Sequence, residues 1–78
     1  MNYQTEIELD LSGLTCPLPL LKTKQALNRL EAGQIVKVLA TDPGSERDFQ
    51  VFAEQSGTVL LEFQHIDEKY YYWLQKQA

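Results

Sequence analysis

The chain holds a single cysteine, and its neighbours set up a specific chemistry. Cys16 sits in the run Gly13-Leu14-Thr15-Cys16-Pro17-Leu18-Pro19, between a glycine and two prolines one residue apart. Proline suits the first turn of a helix, where its missing N–H would have had no intrahelical partner and its fixed φ is already helical. The pair predicts a helix beginning at Pro17, with Cys16 at or near the N-cap, a place usually taken by Ser, Thr, Asp or Asn. A sulfur there is expected to face the free amides of Leu18 and Leu20 and the positive end of the helix dipole, and a thiolate gains from both. About 1.4 kcal/mol of such stabilisation would lower a thiol pKa by about one unit from its ordinary value near 8.5. The chemistry on offer is nucleophilic attack by sulfur near neutral pH. The bland alternative is a lone cysteine packed as a small hydrophobe, but a residue between a strand end and a helix start tends to be accessible.

Other reactive side chains are few. His65 is the only histidine; a Cys-His pair would give the thiol a base, whereas a strand-end histidine is more often solvated and structural. Asp42 and Asp48 bracket a turn, and with Asp10 they read as turn and capping residues. Arg47, with Lys22 and Lys24 on the first helix, offers a docking surface for an acidic partner, where charge mainly sets association rate and selectivity. One Cys, one His and scattered carboxylates lack the spacing of a metal site, and no glycine-rich phosphate loop appears, so neither metal nor cofactor is expected.

The elements that must position these residues follow from periodicity. Residues 6–11 alternate strictly, with Ile7, Leu9 and Leu11 on one face and Glu6, Glu8 and Asp10 on the other, which is the pattern of a half-buried strand. Ser12 and Gly13 end it. Leu20, Thr23, Leu27 and Leu30 then fall at helical spacing, Leu21 widens the stripe, Lys22, Gln25 and Arg29 point outward, and Gly33 is placed to stop the helix. Residues 34–40 (QIVKVLA) read as a more buried strand that ends in the turn Thr41-Asp42-Pro43-Gly44. Ser45 and Asp48 resemble a capping box opening a second helix with Phe49, Phe52 and Ala53 on its apolar face and Gly57 at its end. Val59, Leu61 and Phe63 alternate with Leu60, Glu62 and Gln64 in a third strand. After a polar turn at residues 67–69, the aromatic run Tyr70 to Trp73 makes a last strand suited to the sheet centre. The order β-α-β-α-β-β gives a mixed four-stranded sheet, parallel in its first three strands and antiparallel in the last. Two helices suffice to cover one face, leaving the face of Glu6, Glu8 and Asp10 largely open to water.

Composition bounds the rest. At 78 residues the chain is one domain, 1–78, near the size at which a single core is only marginally stabilising. With 44% hydrophobic and 23% charged residues it should fold on its own. A net charge of -4 argues against binding a phosphate backbone, so no direct nucleic-acid contact is expected, and the aromatic run reads as core rather than a base-stacking platform. The longest apolar runs are strand-sized and the N-terminal residues lack the pattern of a signal peptide, which predicts a cytoplasmic monomer with no membrane contact and a free thiol.

Asp10, Gly13, Leu14, Cys16, Pro17 and Pro19 reproduce the pattern D-x-x-G-L-x-C-P-x-P, and the match continues through Lys22, Lys24, Ala26, Leu27, Gly33, residues 40–44, Asp48 and Phe49. In this the chain resembles the TusA-like (SirA-like) sulfur-carrier family over essentially its whole length. The resemblance implies a two-layer α/β sandwich with sheet order 1-2-4-3. It also implies a function: the motif cysteine, here Cys16, accepts a sulfane sulfur as a persulfide from a cysteine desulfurase or rhodanese and relays it to an acceptor protein, in tRNA thiolation, cofactor synthesis or sulfur metabolism. Gly13, Pro17, Leu18 and Pro19 then serve as the motif that builds the helix start. The chain departs from the pattern at Gly57-Thr58, where many members carry Gly-His or Gly-Asn, a change that bears on partner choice. The competing reading is a redox-sensing or regulatory binding module without sulfur transfer. RNA binding, suggested only by likeness to an initiation-factor domain, is weaker because fold does not fix function.

Overall fold

The computed structural model describes Tyr3 to Gln77. Strand β1 (Ile7–Leu11) keeps the alternation of its sequence, with Ile7, Leu9 and Leu11 turned inward and Glu8 and Asp10 exposed. Helix α1 (Leu18–Leu27), strand β2 (Ile35–Ala40), helix α2 (Ser45–Ser56), and strands β3 (Val59–Ile66) and β4 (Lys69–Gln75) follow. The strands form one sheet in the order β1-β2-β4-β3. β1 runs parallel to β2, as a helical crossover between them requires, and β4 is antiparallel to both β2 and β3. The fold is the expected α/β sandwich, with the aromatic last strand in the middle of the sheet.

Register lines up the inner face in rows. Leu9, Val38, Tyr72 and Phe63 cross the sheet together, as do Ile7, Val36, Leu74 and Leu60. Ala26 and Leu27 of α1, Phe49 of α2, and Leu30 just beyond α1 join these residues in one core, so both helices cover the same face. Phe49 and Tyr72 are wholly buried, and their rings stack with centroids 4.3 Å apart. Burial pushes the Tyr72 phenol up to about 12, so it stays neutral, and its hydroxyl pairs with the buried Ser45 Oγ at 2.8 Å. That bond satisfies two polar groups that would otherwise be costly inside a core.

Several local expectations are corrected. Helix α1 ends at Leu27 with Asn28 as its C-cap, well before Gly33. The amides of Arg29 and Leu30 bond to the carbonyls three residues back, a tighter turn that closes the helix, and Lys76 Nζ donates to the Leu27 carbonyl at 2.8 Å. Gly33, at φ 89°, instead turns the chain so that its N–H meets the Lys76 carbonyl. Leu21 lies outside the buried stripe and is 46% exposed. Ser45 and Asp48 form no capping box: the N-cap of α2 is Gly44, no side chain caps it, and Ser45 turns into the core. In β3 the register shifts between Leu60 and Glu62 and leaves Leu61 unpaired. A bulge of this kind exchanges the faces of the strand, so Leu60 and Phe63 pack on the core while Val59, expected beside Phe63, is exposed. The far face of the sheet is also less open than its acidic residues suggest. Leu39, Tyr71 and Trp73 lie there half-buried, and Lys37 Nζ sits 5.7 and 5.3 Å over the two rings.

Candidate functional site

The β1–α1 loop is built before it reaches the cysteine. Asp10 Oδ1 accepts from the Ser12 hydroxyl at 2.6 Å and the Ser12 N–H at 3.1 Å, and these two bonds hold the Asp10 carboxyl below its ordinary range. Gly13 then adopts φ 82°, open to glycine but strained for other residues, and its N–H donates to Thr41 Oγ1 at the end of β2. The loop is thereby tied to the β2–α2 turn.

Cys16 follows, exposed at the surface, its peptide bond to Pro17 cis. Pro17 occupies the N-cap, so Cys16 lies one residue ahead of the position expected for it. The amides predicted to face the sulfur do not do so. The Leu18 N–H donates to the Thr15 carbonyl at 2.9 Å, and no side chain caps the helix. Instead two carboxylates distant in sequence, one in the β2–α2 turn and one on α2, order the residue. Asp42 Oδ2 accepts the Cys16 backbone N–H at 2.9 Å, and Asp48 Oδ2 accepts from Sγ at 2.6 Å.

This reverses the expected electrostatics. A carboxylate bonded to a thiol favours the neutral form. The Asp48 hydrogen bond, then desolvation, then the charges of Asp48 and Asp42 push the Cys16 thiol above its ordinary range. The helix dipole favours the anion, but it is set by the backbone nearest in sequence alone. The opposing charges lie 26 and 32 residues further along the chain. Both aspartates had been singled out, but as turn and capping residues, and Asp48 has a different partner from the one its spacing suggested.

The turn that carries Asp42 packs closely against the loop. A Cβ added at Gly44 would stand 3.2 Å from Asp42 Oδ2 and 3.8 Å from Cys16 Cβ. Beyond Asp48 a groove of about 430 Å³ runs between α1 and α2, lined by Leu20, Lys24, Arg47, Val51 and Phe52 among others. Of the three cations proposed for docking, Lys24 and Arg47 border this groove, while Lys22 is exposed on α1 outside its lining. Leu18, Leu21 and Val51 are each more than 40% exposed. The sequence places Leu18 in the motif at the helix start and Leu21 on the apolar stripe, whereas Val51 is not singled out; its signal is a position off the buried face of α2.

His65 does not join the cysteine. Its ring stacks on Tyr70 with centroids 4.2 Å apart and lines a separate depression with Thr41, Pro43 and the β3–β4 turn. Among the described residues, no three His, Cys, Asp or Glu side chains converge as a metal site would need, and no helix is long and apolar enough to cross a membrane.

Comparison with known proteins places the chain. The family described as "Sulfurtransferase TusA" matches residues 7–76. The sulfur carrier protein TusA of Allochromatium vinosum is 48% identical over 69 residues, spanning 88% of this chain and 91% of that protein. A protein of the same name from Pseudomonas putida is 40% identical over 77 residues, spanning 99% and 96% of the two chains. Among solved structures, the SirA-like protein of Desulfitobacterium hafniense superposes with a TM-score of 0.80 at 31% identity, covering 92% of this chain and 99% of its own.

Proposed function

The chain belongs to the TusA sulfurtransferase family, and from that premise we propose that it is a sulfur carrier that holds sulfane sulfur as a persulfide on Cys16. The observation that carries the reading is the placement of Sγ. It is exposed on a loop braced by Thr41 and Asp42, beside a groove bordered by Lys24 and Arg47. A protein donor can reach it without any rearrangement of the core.

In the loading step the Cys16 sulfur attacks the outer sulfur of a donor persulfide. The Sγ–S bond forms, the donor S–S bond breaks, and the electron pair of that bond stays on the donor sulfur, which takes up the proton that Cys16 gives up. The sulfur changes owner with no oxidant or reductant, and no cofactor is needed. Unloading repeats the step with an acceptor thiol. Cysteine desulfurases and rhodaneses are the proposed donors, and proteins of tRNA thiolation, cofactor synthesis or sulfur metabolism are the proposed acceptors. A carrier that works through a free thiol belongs in a reducing compartment, so the cytoplasm is its proposed location.

Incubation with a cysteine desulfurase and cysteine should add the mass of one or more sulfur atoms, removable by reductant. Cys16→Ser should gain none. A wild-type protein that stays unmodified with every donor tried, or a serine variant that gains the mass, would sink the reading. The alternative of a redox sensor fits the site less well, because such sensors rely on low-pKa thiols and the two aspartates act in the other direction.

A further inference from the structure

We propose that Asp48 is a charge latch on the transfer sulfur, holding Cys16 as the neutral thiol until a docked partner relieves that charge. The inference rests on the sulfur-carrier reading for its biological sense, and on the Sγ to Oδ2 contact for its physics. That contact, at 2.6 Å, spans 32 residues of sequence and joins the β1–α1 loop to the first turns of α2.

The latch is held firmly from both sides. Asp48 lies between Ser45, whose hydroxyl pairs with Tyr72 inside the core, and Phe49, whose ring stacks on the same tyrosine. Its carboxylate therefore projects from a helix end anchored to the central strand. Asp42 holds the sulfur's own backbone by the Cys16 N–H. Neither contact is an N-cap, since α2 has no side-chain cap and the acidic side chain reaches away from its own helix to another loop.

The charges that act on the thiol are Asp48 from α2 and Asp42 from the β2–α2 turn, and the first turn of α1 carries no acidic residue. Both disfavour a second negative charge. A thiolate is the nucleophile in sulfur exchange, so the free carrier is slow toward small electrophiles, oxidants and stray polysulfides. Attack becomes favourable when a donor surface offsets the Asp48 charge, or takes up the proton directly on its leaving sulfur. The latch makes loading depend on docking, and it discriminates protein donors from small sulfur compounds.

The test is the rate of Cys16 alkylation by iodoacetamide against pH, which requires no sulfur donor. In wild-type protein the midpoint should lie above that of free cysteine, near 8.5. Asp48→Asn keeps an oxygen acceptor and removes the charge, and should alkylate several-fold faster at pH 7, since each unit of thiol pKa is worth about tenfold in thiolate. Asp42→Asn, which acts on the backbone N–H, should give the smaller change. A wild-type midpoint at or below free cysteine overturns the proposal, as does an Asp48→Asn variant no faster than wild type or slower than Asp42→Asn. Should Asp48→Asn fail to give a native circular dichroism spectrum, the wild-type titration decides alone. Failure of wild type to load sulfur would overturn the carrier reading and leave this titration as it stands.

Discussion

At the scale of single residues, Cys16 is governed by two aspartates with different tasks. Asp48 meets the sulfur and sets its charge state, while Asp42 meets the backbone and sets where the sulfur stands. The second role has its own consequence. Replacing Asp42 with Ala removes the acceptor of the Cys16 N–H, and an exposed loop amide without a partner opens easily. Hydrogen exchange at the Cys16 amide should become at least several-fold faster in Asp42→Ala, with amides of β2 and β4 unchanged. An unaltered Cys16 amide would show that the loop is held by other bonds, such as that of Gly13 to Thr41. Asp10 supports the same loop through Ser12. Its depressed pKa means that this support is present above the ordinary aspartate range and fades as pH falls through the folded-state value. The place of Cys16, exposed just ahead of a helix, was legible in the sequence, because a cysteine set against two prolines is a local pattern. The carboxylate bonded to its sulfur was not, because a hydrogen bond from a loop to a distant helix leaves no trace in periodicity or spacing.

At the scale of elements, α2 is the piece on which the site depends, and its attachment runs through three side chains. Phe49, Ser45 and Tyr72 form a buried unit in which a ring stack and a hydroxyl pair share one tyrosine. Phe49→Ala would leave a cavity under the helix and should cost about 3–5 kcal/mol. Tyr72→Phe keeps the stack and strands the Ser45 hydroxyl, for about 1–3 kcal/mol. Chemical denaturation of both variants checks the order, and a Tyr72→Phe loss as large as that of Phe49→Ala would mean that the hydroxyl pair, not the stack, fixes α2. The elements themselves were readable from sequence wherever one rule acted alone. Strict alternation gave β1, glycine at φ 80° closed α2 where Gly57 stands, and aromatic density put β4 in the centre. Sequence reading failed where a local preference met a tertiary demand. The bulge at Leu61 moves the apolar face of β3 from Leu61 to Leu60, and a one-residue slip inverts every assignment before it. Ser45 had the right spacing for a cap, yet the buried Tyr72 hydroxyl needed a partner and took it.

At the scale of the whole molecule, charge is unevenly matched to task. The chain carries a net charge of -4, and the sulfur itself faces two carboxylates, yet the groove leading from Asp48 is bordered by Lys24 and Arg47. Lys24 Nζ lies 5.4 Å from the centroid of the Phe52 ring, so its charge sits over an apolar residue of the groove in a cation–π contact. Such a groove suits a donor that presents apolar residues with acidic neighbours, and the surrounding negative field disfavours acidic partners that approach anywhere else. Reversing both cations, Lys24→Glu with Arg47→Glu, takes the net charge from -4 to -8, since each substitution subtracts two from the value for the native chain. Both side chains are exposed, so the fold should persist. Association with a cysteine desulfurase should slow by about tenfold at low ionic strength, and the difference should shrink as salt screens the surface. Reversing Lys22 alone, which lies outside the groove, should have a smaller effect. Equal slowing by Lys22→Glu and by a single Lys24→Glu would make overall charge, and not the groove, the determinant of docking. An unchanged rate in the double variant would move the docking surface to another face, with the exposed Leu18 and Leu21 on α1 the next residues to test.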